Sequence, residues 1–183
     1  HNEFWLDDQG FRSATGFTGQ WQYNPNSHNQ FSTFIQYSDL DYDQQSIRNA
    51  DRWVYGGAYA HALKTGDVLF ASLYGVQEKE KAKNVPFLGY EGFGFRAGAQ
   101  TSPNKALMYF GSVSLEQRHY GGDDPAFLKT REDTQYDLNL GATYRIDRDW
   151  SVTPRVTYTK NDSNADLNDY HREVVSVTLR HDF

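Results

Sequence analysis

The sequence contains no cysteine, so neither a disulfide framework nor a thiolate metal site is open to it. It has no stretch near the roughly 18 apolar residues that a membrane-crossing helix requires. Basic residues are in deficit: 18 Lys and Arg against 24 Asp and Glu leave a net charge of −6. With no basic patch to offset that balance, nucleic acid is excluded as a partner. The six histidines (1, 28, 61, 119, 171 and 181) form no i, i+2 or i, i+4 pair, so a histidine metal site is not expected. Neither a Gly-x-Ser-x-Gly elbow nor a phosphate-cradling loop occurs. No catalytic residue, metal or cofactor is therefore expected, and the chain does not read as an enzyme. No signal peptide stands at His1-Asn2-Glu3, so the start reads as processed or as cut from something longer.

What is present is alternation. At 183 residues the chain is long enough for one domain with a core. Its mean hydropathy of −0.80 would ordinarily place it among soluble proteins. That average misleads for a membrane β-barrel, where apolar residues occupy only every second position. Aromatic residues make up 16%, mostly Tyr and Phe, as interfacial girdles would need.

The C-terminal stretch shows the pattern most clearly. Val175, Val177, Leu179, His181 and Phe183 point one way, while Arg172, Val174, Ser176, Thr178, Arg180 and Asp182 point the other. About nine such runs, each near the 9–11 residues of a tilted membrane strand, span 11–23, 30–39, 52–63, 67–77, 88–100, 106–118, 134–146, 149–160 and 172–183. In the seventh, Tyr136, Leu138, Leu140, Ala142, Tyr144 and Ile146 oppose Gln135, Asp137, Asn139, Gly141, Thr143 and Arg145. The third and fourth runs are rich in Gly, Ala and Tyr on both faces, and their orientation is open. The glycine-rich Tyr90–Gly98 segment sits in a strand, where glycine marks curvature or close packing.

The connections alternate too. Asn24–Asn29, Lys64–Asp67, Thr101–Lys105 and Ile146–Asp149 are short and carry turn residues; Asp39–Asp51, Gln77–Pro86, His119–Asp133 and Asn161–His171 are longer and more charged. Outer-membrane barrels have this asymmetry, with short periplasmic turns and long extracellular loops. The fold class that follows is all-β: an antiparallel, up-and-down transmembrane β-barrel in the bacterial outer membrane, with residues 1–183 one barrel domain. Such barrels have an even strand number, and an open edge is not tolerated in lipid. Nine strands therefore imply that the chain is the C-terminal portion of a larger barrel, completed by a further polypeptide segment. A missed short strand around Glu3–Asp7 is the alternative.

The last third adds a resemblance. His119-Tyr120-Gly121-Gly122-Asp123-Asp124-Pro125-Ala126-Phe127 and Arg131-Glu132-Asp133 lead into the seventh run. They are followed by Trp150 to Asn164, Asp169-Tyr170 and valine-rich alternation to Phe183. This resembles the C-terminal barrel of the surface lipoprotein assembly modulators and related tetratricopeptide-repeat outer-membrane proteins, over roughly residues 107–183. In that family a periplasmic helical-repeat domain precedes a barrel of fourteen strands. The resemblance implies a translocation or export role in surface display or secretion of lipoproteins or related proteins. It implies as partners the lipid bilayer, lipoprotein or secreted-protein cargo, and the barrel-assembly machinery, which would read the terminal strand ending at Phe183. The sequence departs from the family in carrying no tetratricopeptide repeats and fewer strands.

Three candidate groups of residues follow. Arg96, Glu116, Arg118, Asp137, Asn139, Arg145, Arg155, Arg180 and Asp182 are expected to face the lumen, either as a salt-bridged wall or as a selective, cargo-guiding surface. Tyr109, Tyr136, Tyr144, Trp150, Tyr158 and Phe183 are expected at the membrane interfaces. The acidic runs Asp39-Leu40-Asp41-Tyr42-Asp43 and Asp123-Asp124 read as loop ends. In the first, Gln44 and Ala50 stand where a calcium loop needs Gly and Glu. Two other functions stay open: a passive pore or polysaccharide-export barrel, and a soluble lipocalin-like barrel with its apolar faces inside.

Overall fold

The computed structural model describes residues 2–6 and 9–182, with side chains from residue 11 onward. Among the described residues ten strands run antiparallel in one sheet, each hydrogen-bonded to the next in sequence. They are β1 (Asn2–Leu6), β2 (Gln9–Asn26), β3 (Asn29–Asp41), β4 (Ala50–Ala62) and β5 (Val68–Glu80), then β6 (Tyr90–Asn104), β7 (Leu107–Asp124), β8 (Lys129–Arg145), β9 (Trp150–Ser163) and β10 (Tyr170–His181). All nine expected runs are strands, β2 to β10. The short β1 precedes them, at the place allowed for around Glu3–Asp7. The count among the described residues is thus ten, one more than the nine runs read from the sequence.

The alternation works as the period of two demands. Following the register from β2 to β10, one face carries Phe17, Trp21 and Tyr23, then Phe31 and Ile35, and so on to Val175, Val177 and Leu179. This face is solvent-exposed and apolar. The opposite face is concave and holds the buried residues Ser32, Val76, Tyr90, Glu116, Tyr120, Asp133, Thr159 and Asn161. The open orientation of the third and fourth runs is settled by this register. Trp53, Tyr55 and Tyr59 of β4 and Leu69 and Leu73 of β5 lie on the convex face. Arg52, Val54, Tyr74, Val76 and Glu78 lie on the concave face.

Glycines let the concave face pack closely. Phe34, Phe70, Tyr74 and Phe110 sit directly across from Gly56, Gly98, Gly94 and Gly141 on the next strand. In all four pairs the ring occupies the space a Cβ would fill. An aromatic ring thus lies flat over the neighbouring backbone, which covers the glycine and keeps the wall thin. The Tyr90–Gly98 segment has the close-packing role expected of it.

The two ends of the sheet differ as anticipated, with one correction. At one end the hairpins are tight and capped by side chains. Asn26 Oδ1 accepts the N–H of His28 and Asn29, both at 2.9 Å. Asp147 Oδ1 accepts those of Asp149 and Trp150 at 2.9 and 2.8 Å, and Gly66 takes a φ of 90° in the β4–β5 turn. These are Asx-type turns and a left-handed glycine, the chemistry short hairpins require. At the other end, connections of several residues contain single 3-10 turns at Ser46–Arg48, Pro86–Leu88 and Asp166–Asn168. The correction concerns His119–Asp133, expected as a long loop. There β7 and β8 continue to Asp124 and from Lys129, leaving only 125–128 as a turn. Asp123 pairs with Thr130, whose hydroxyl donates to the Asp123 carboxylate at 2.6 Å. A ribbon rising into water on both faces needs no apolar alternation, so its sequence reads as loop.

Two edges stay unpaired among the described residues. β10 is bonded on one side only, to β9. β1 covers β2 from Gln9 to Ala14 but leaves its remaining length, toward Asn26, open on that side.

Candidate functional site

The candidate site is the concave wall, and it is built in two halves. Toward the looped end the charges neutralise one another. Arg118 Nε donates to Glu116 at 2.6 Å and its Nη2 to Gln135 at 3.1 Å. Glu116 also accepts the hydroxyl of Tyr74 at 2.8 Å, a bond that spans from β5 to β7 over Gly94. Asp137 accepts from Thr159 at 2.6 Å, Gln135 at 3.0 Å and Ser114 at 3.3 Å. Higher still, Arg131 pairs with the buried Asp133 at 2.5 Å while lying over the Tyr120 ring at 4.4 Å. Arg118 lies over Tyr90 at 5.5 Å, and the two tyrosines meet at 5.4 Å beside Val76. Arg52 reaches Glu78 at 3.9 Å. Each ionised group in this half has an opposite charge or several donors, as partly buried charges need.

Toward the turn end the chemistry changes. Arg155 lies over the Phe110 ring at 5.3 Å, and Arg96 donates only to Ser112, at 3.4 Å. With Phe70, Gln100, Thr153 and Thr178 they line a cavity of about 570 Å³. A second cavity, of about 350 Å³, lies below it and is lined by Lys105, Arg145, Arg148, Asp149, Arg180 and Asp182. Among the described residues only the Arg180–Asp182 pair, at 2.7 Å, forms an ion bridge there.

Eight of the nine residues expected to face the lumen lie on the concave side by strand register, and Asp182, just past β10, is held by Arg180 from that side. The structure brings Glu116, Arg118 and Asp137 into one network. Asn139 joins a separate bond, accepting from Thr157 at 2.8 Å. Arg96, Arg145 and Arg155 stand apart from it. Tyr109, Tyr136, Tyr144, Trp150 and Tyr158 all project from the convex face, and Trp150 packs on His181 with ring centroids 4.4 Å apart. Phe183 lies outside the described residues. Sequence reasoning missed Tyr74, Glu78 and Arg52 because the face of their strands was open. It missed Arg131 and Asp133 because they were read as loop. The acidic runs serve local structure: Asp39 accepts from Lys81 at 2.6 Å, Asp41 from Asn49, and Asp124 from the Ala126 N–H at 2.8 Å.

The convex face carries a second signature. Between Phe17 and Tyr23, Phe31 and Tyr37, Trp53 and Tyr59, Leu69 and Gly75, Phe93 and Ala99, Leu107 and Leu115, Tyr136 and Tyr144, Trp150 and Tyr158, and Val175 and Leu179, no outward position holds Asp, Glu, Lys or Arg. Charge returns on the looped side of the band, at Asp39, Asp51, Lys79, Glu91, Glu132, Lys160 and Glu173. Trp53, Tyr37 and Phe17 cluster at its upper margin, with centroids 4.9 to 6.0 Å apart.

An apolar, aromatic-rimmed outer band around a polar inner wall fits the surface of an outer-membrane β-protein. Comparison with protein-family models matches residues 1–183 to one described as "Surface lipoprotein assembly modifier". No curated protein and no solved structure matches the chain. The family match spans the sheet from end to end, and the chain belongs to the surface lipoprotein assembly modifier family.

Proposed function

We propose that this chain is part of an outer-membrane β-barrel that moves lipoproteins or related secreted proteins toward the cell surface, without a catalytic step of its own. The uncharged convex band carries the membrane reading. A single Arg or Lys at mid-depth on a lipid face costs about 2–4 kcal/mol, so nine strands free of such residues fit a surface kept for lipid. Along β8 the band from Tyr136 to Tyr144 covers about 26 Å of strand, or about 20 Å of membrane once tilted, close to the apolar height of such barrels. Membership of a lipoprotein-assembly family favours cargo transfer over a passive pore or a polysaccharide channel.

In this reading the bare edges of β10 and of lower β2 pair with further strands, because backbone groups left open in hydrocarbon cost several kcal/mol each. The terminal strand serves as the signal for barrel assembly. The lipocalin-like alternative requires the apolar face inside, whereas Leu140, Val175 and Leu179 face outward. A cell-surface protease assay tests the proposal. Cells carrying the full-length protein display a co-expressed surface lipoprotein reporter, and cells lacking it retain the reporter inside. Equal display in both would refute the function.

A further inference from the structure

We propose that the turn-end half of the concave wall is a track for an acidic, extended polypeptide segment, which defines the chemistry of what passes along it. The inference rests on the transport reading above. Its starting point is the contrast between the two halves. Arg52, Arg118 and Arg131 each face a carboxylate within 4 Å. Among the described residues Arg96, Lys105, Arg145, Arg148 and Arg155 form no ion pair. The upper cavity has two arginines and no acid. The lower has four cations against Asp149 and Asp182, one of which is already held by Arg180. On a chain whose overall charge is −6, this is a local excess of the opposite sign, placed on one stretch of the inner wall.

The spacing selects the ligand. Arg96 shares a register row with Asp137, through Ser114. Arg155 pairs with Gly141, four residues farther along β8, and Arg145 lies four residues beyond that. Arg180 shares the row of Arg145 through Ser151. Cations therefore recur in rows about 13 Å apart along the strand direction, on β6, then β9, then β8 and β10. One small anion cannot bridge two such rows. An extended peptide crossing the wall obliquely meets them in turn, with carboxylates four or more residues apart. Guanidinium groups suit carboxylates through paired donors. Phe70, Phe110 and the hydroxyls of Thr153 and Thr178 provide a floor for the intervening side chains and backbone.

The test uses the full-length protein in detergent and a labelled sixteen-residue peptide with Glu at every fourth position and Ser and Gly between. Its binding is followed by fluorescence anisotropy. The Arg96→Gln/Arg155→Gln double variant is expected to weaken binding about tenfold, by two lost ion pairs. Lys129→Gln, which removes a cation from the β7–β8 ribbon outside both cavities, is expected to leave it within about twofold, and both variants should keep the heat-shifted gel band of the folded barrel. A Lys-for-Glu peptide is expected not to bind. Equal binding by the Lys peptide, or no loss in the double variant, would overturn the proposal. So would competition by millimolar inorganic phosphate as strong as by the peptide, since that would mean a small-anion site. Competition by polyphosphate at equal charge, beyond that of the peptide, would also overturn it in favour of another polyanion. The transport reading fails separately, if deleting the whole protein leaves reporter display unchanged.

Discussion

Replacing Leu140 with arginine should be one of the costliest single changes on the convex face, and the adjacent Asn139 position should tolerate the same residue far better. Leu140 lies midway between Tyr136 and Tyr144 in β8 and is half exposed, flanked across strands by Gly111 and Val156. If that face meets lipid, arginine at this depth costs about 2–4 kcal/mol. That is about a 30- to 700-fold loss in the folding equilibrium. Asn139→Arg points into the polar wall and loses one hydrogen bond from Thr157, worth about 1 kcal/mol. Urea titration of folding into lipid vesicles, read by the heat-shifted band, measures both. A cost for Asn139→Arg equal to or above that for Leu140→Arg would refute the assignment of faces.

Further substitutions probe the wall and the loops above it. Gly141→Val and Gly94→Val each drive a side chain into space held by Phe110 and Tyr74, and should cost about 1–3 kcal/mol; Phe110→Ala should partly restore Gly141→Val in a double-mutant cycle on the same titration. Arg131→Met leaves the Asp133 carboxylate, which is 2% exposed, without its cation, and should destabilise the β7–β8 ribbon by about 2 kcal/mol or more, seen as faster protease nicking near Leu128. The bond to Asp39 and the nearby Asp51 raise the pKa of Lys81 above its usual value. Its stabilisation of the β5–β6 loop is thus full below about pH 10.5 and is lost as pH rises through the raised value. Wild-type protein should be nicked in residues 81–89 faster at high pH than at pH 8, and Lys81→Met should abolish that difference.

Much of this architecture is written in a period of two. Where one face is apolar and the other polar, as in β8 to β10, Leu138, Leu140, Val175 and Val177 declare the face directly. Legibility falls wherever that contrast weakens. In β4 and β5, glycine, alanine and tyrosine serve both faces: Tyr59 stands outside, while Tyr74 lies inside over Gly94. Nothing local distinguishes them, since the difference lies in the register with β3 and β6. The β7–β8 ribbon was illegible because no residue from Gly121 to Glu132 is fully buried, and the apolar code lapses there. The nine lumen candidates could be read because alternation fixes a residue's face. Their pairing could not, since Tyr74 reaches Glu116 across an intervening strand, a distance that no sequence spacing expresses.

The absence of cysteine makes the most direct test straightforward. Single substitutions to cysteine along β8, at Leu138, Asn139, Leu140, Ala142 and Thr143, can be reacted with a water-soluble maleimide in membranes of cells that carry the protein. Asn139→Cys and Thr143→Cys are expected to label, and Leu138→Cys, Leu140→Cys and Ala142→Cys to stay unlabelled until detergent is added. Uniform labelling, or labelling of the Leu138, Leu140 and Ala142 set alone, would contradict a lipid-facing convex surface around a water-filled wall.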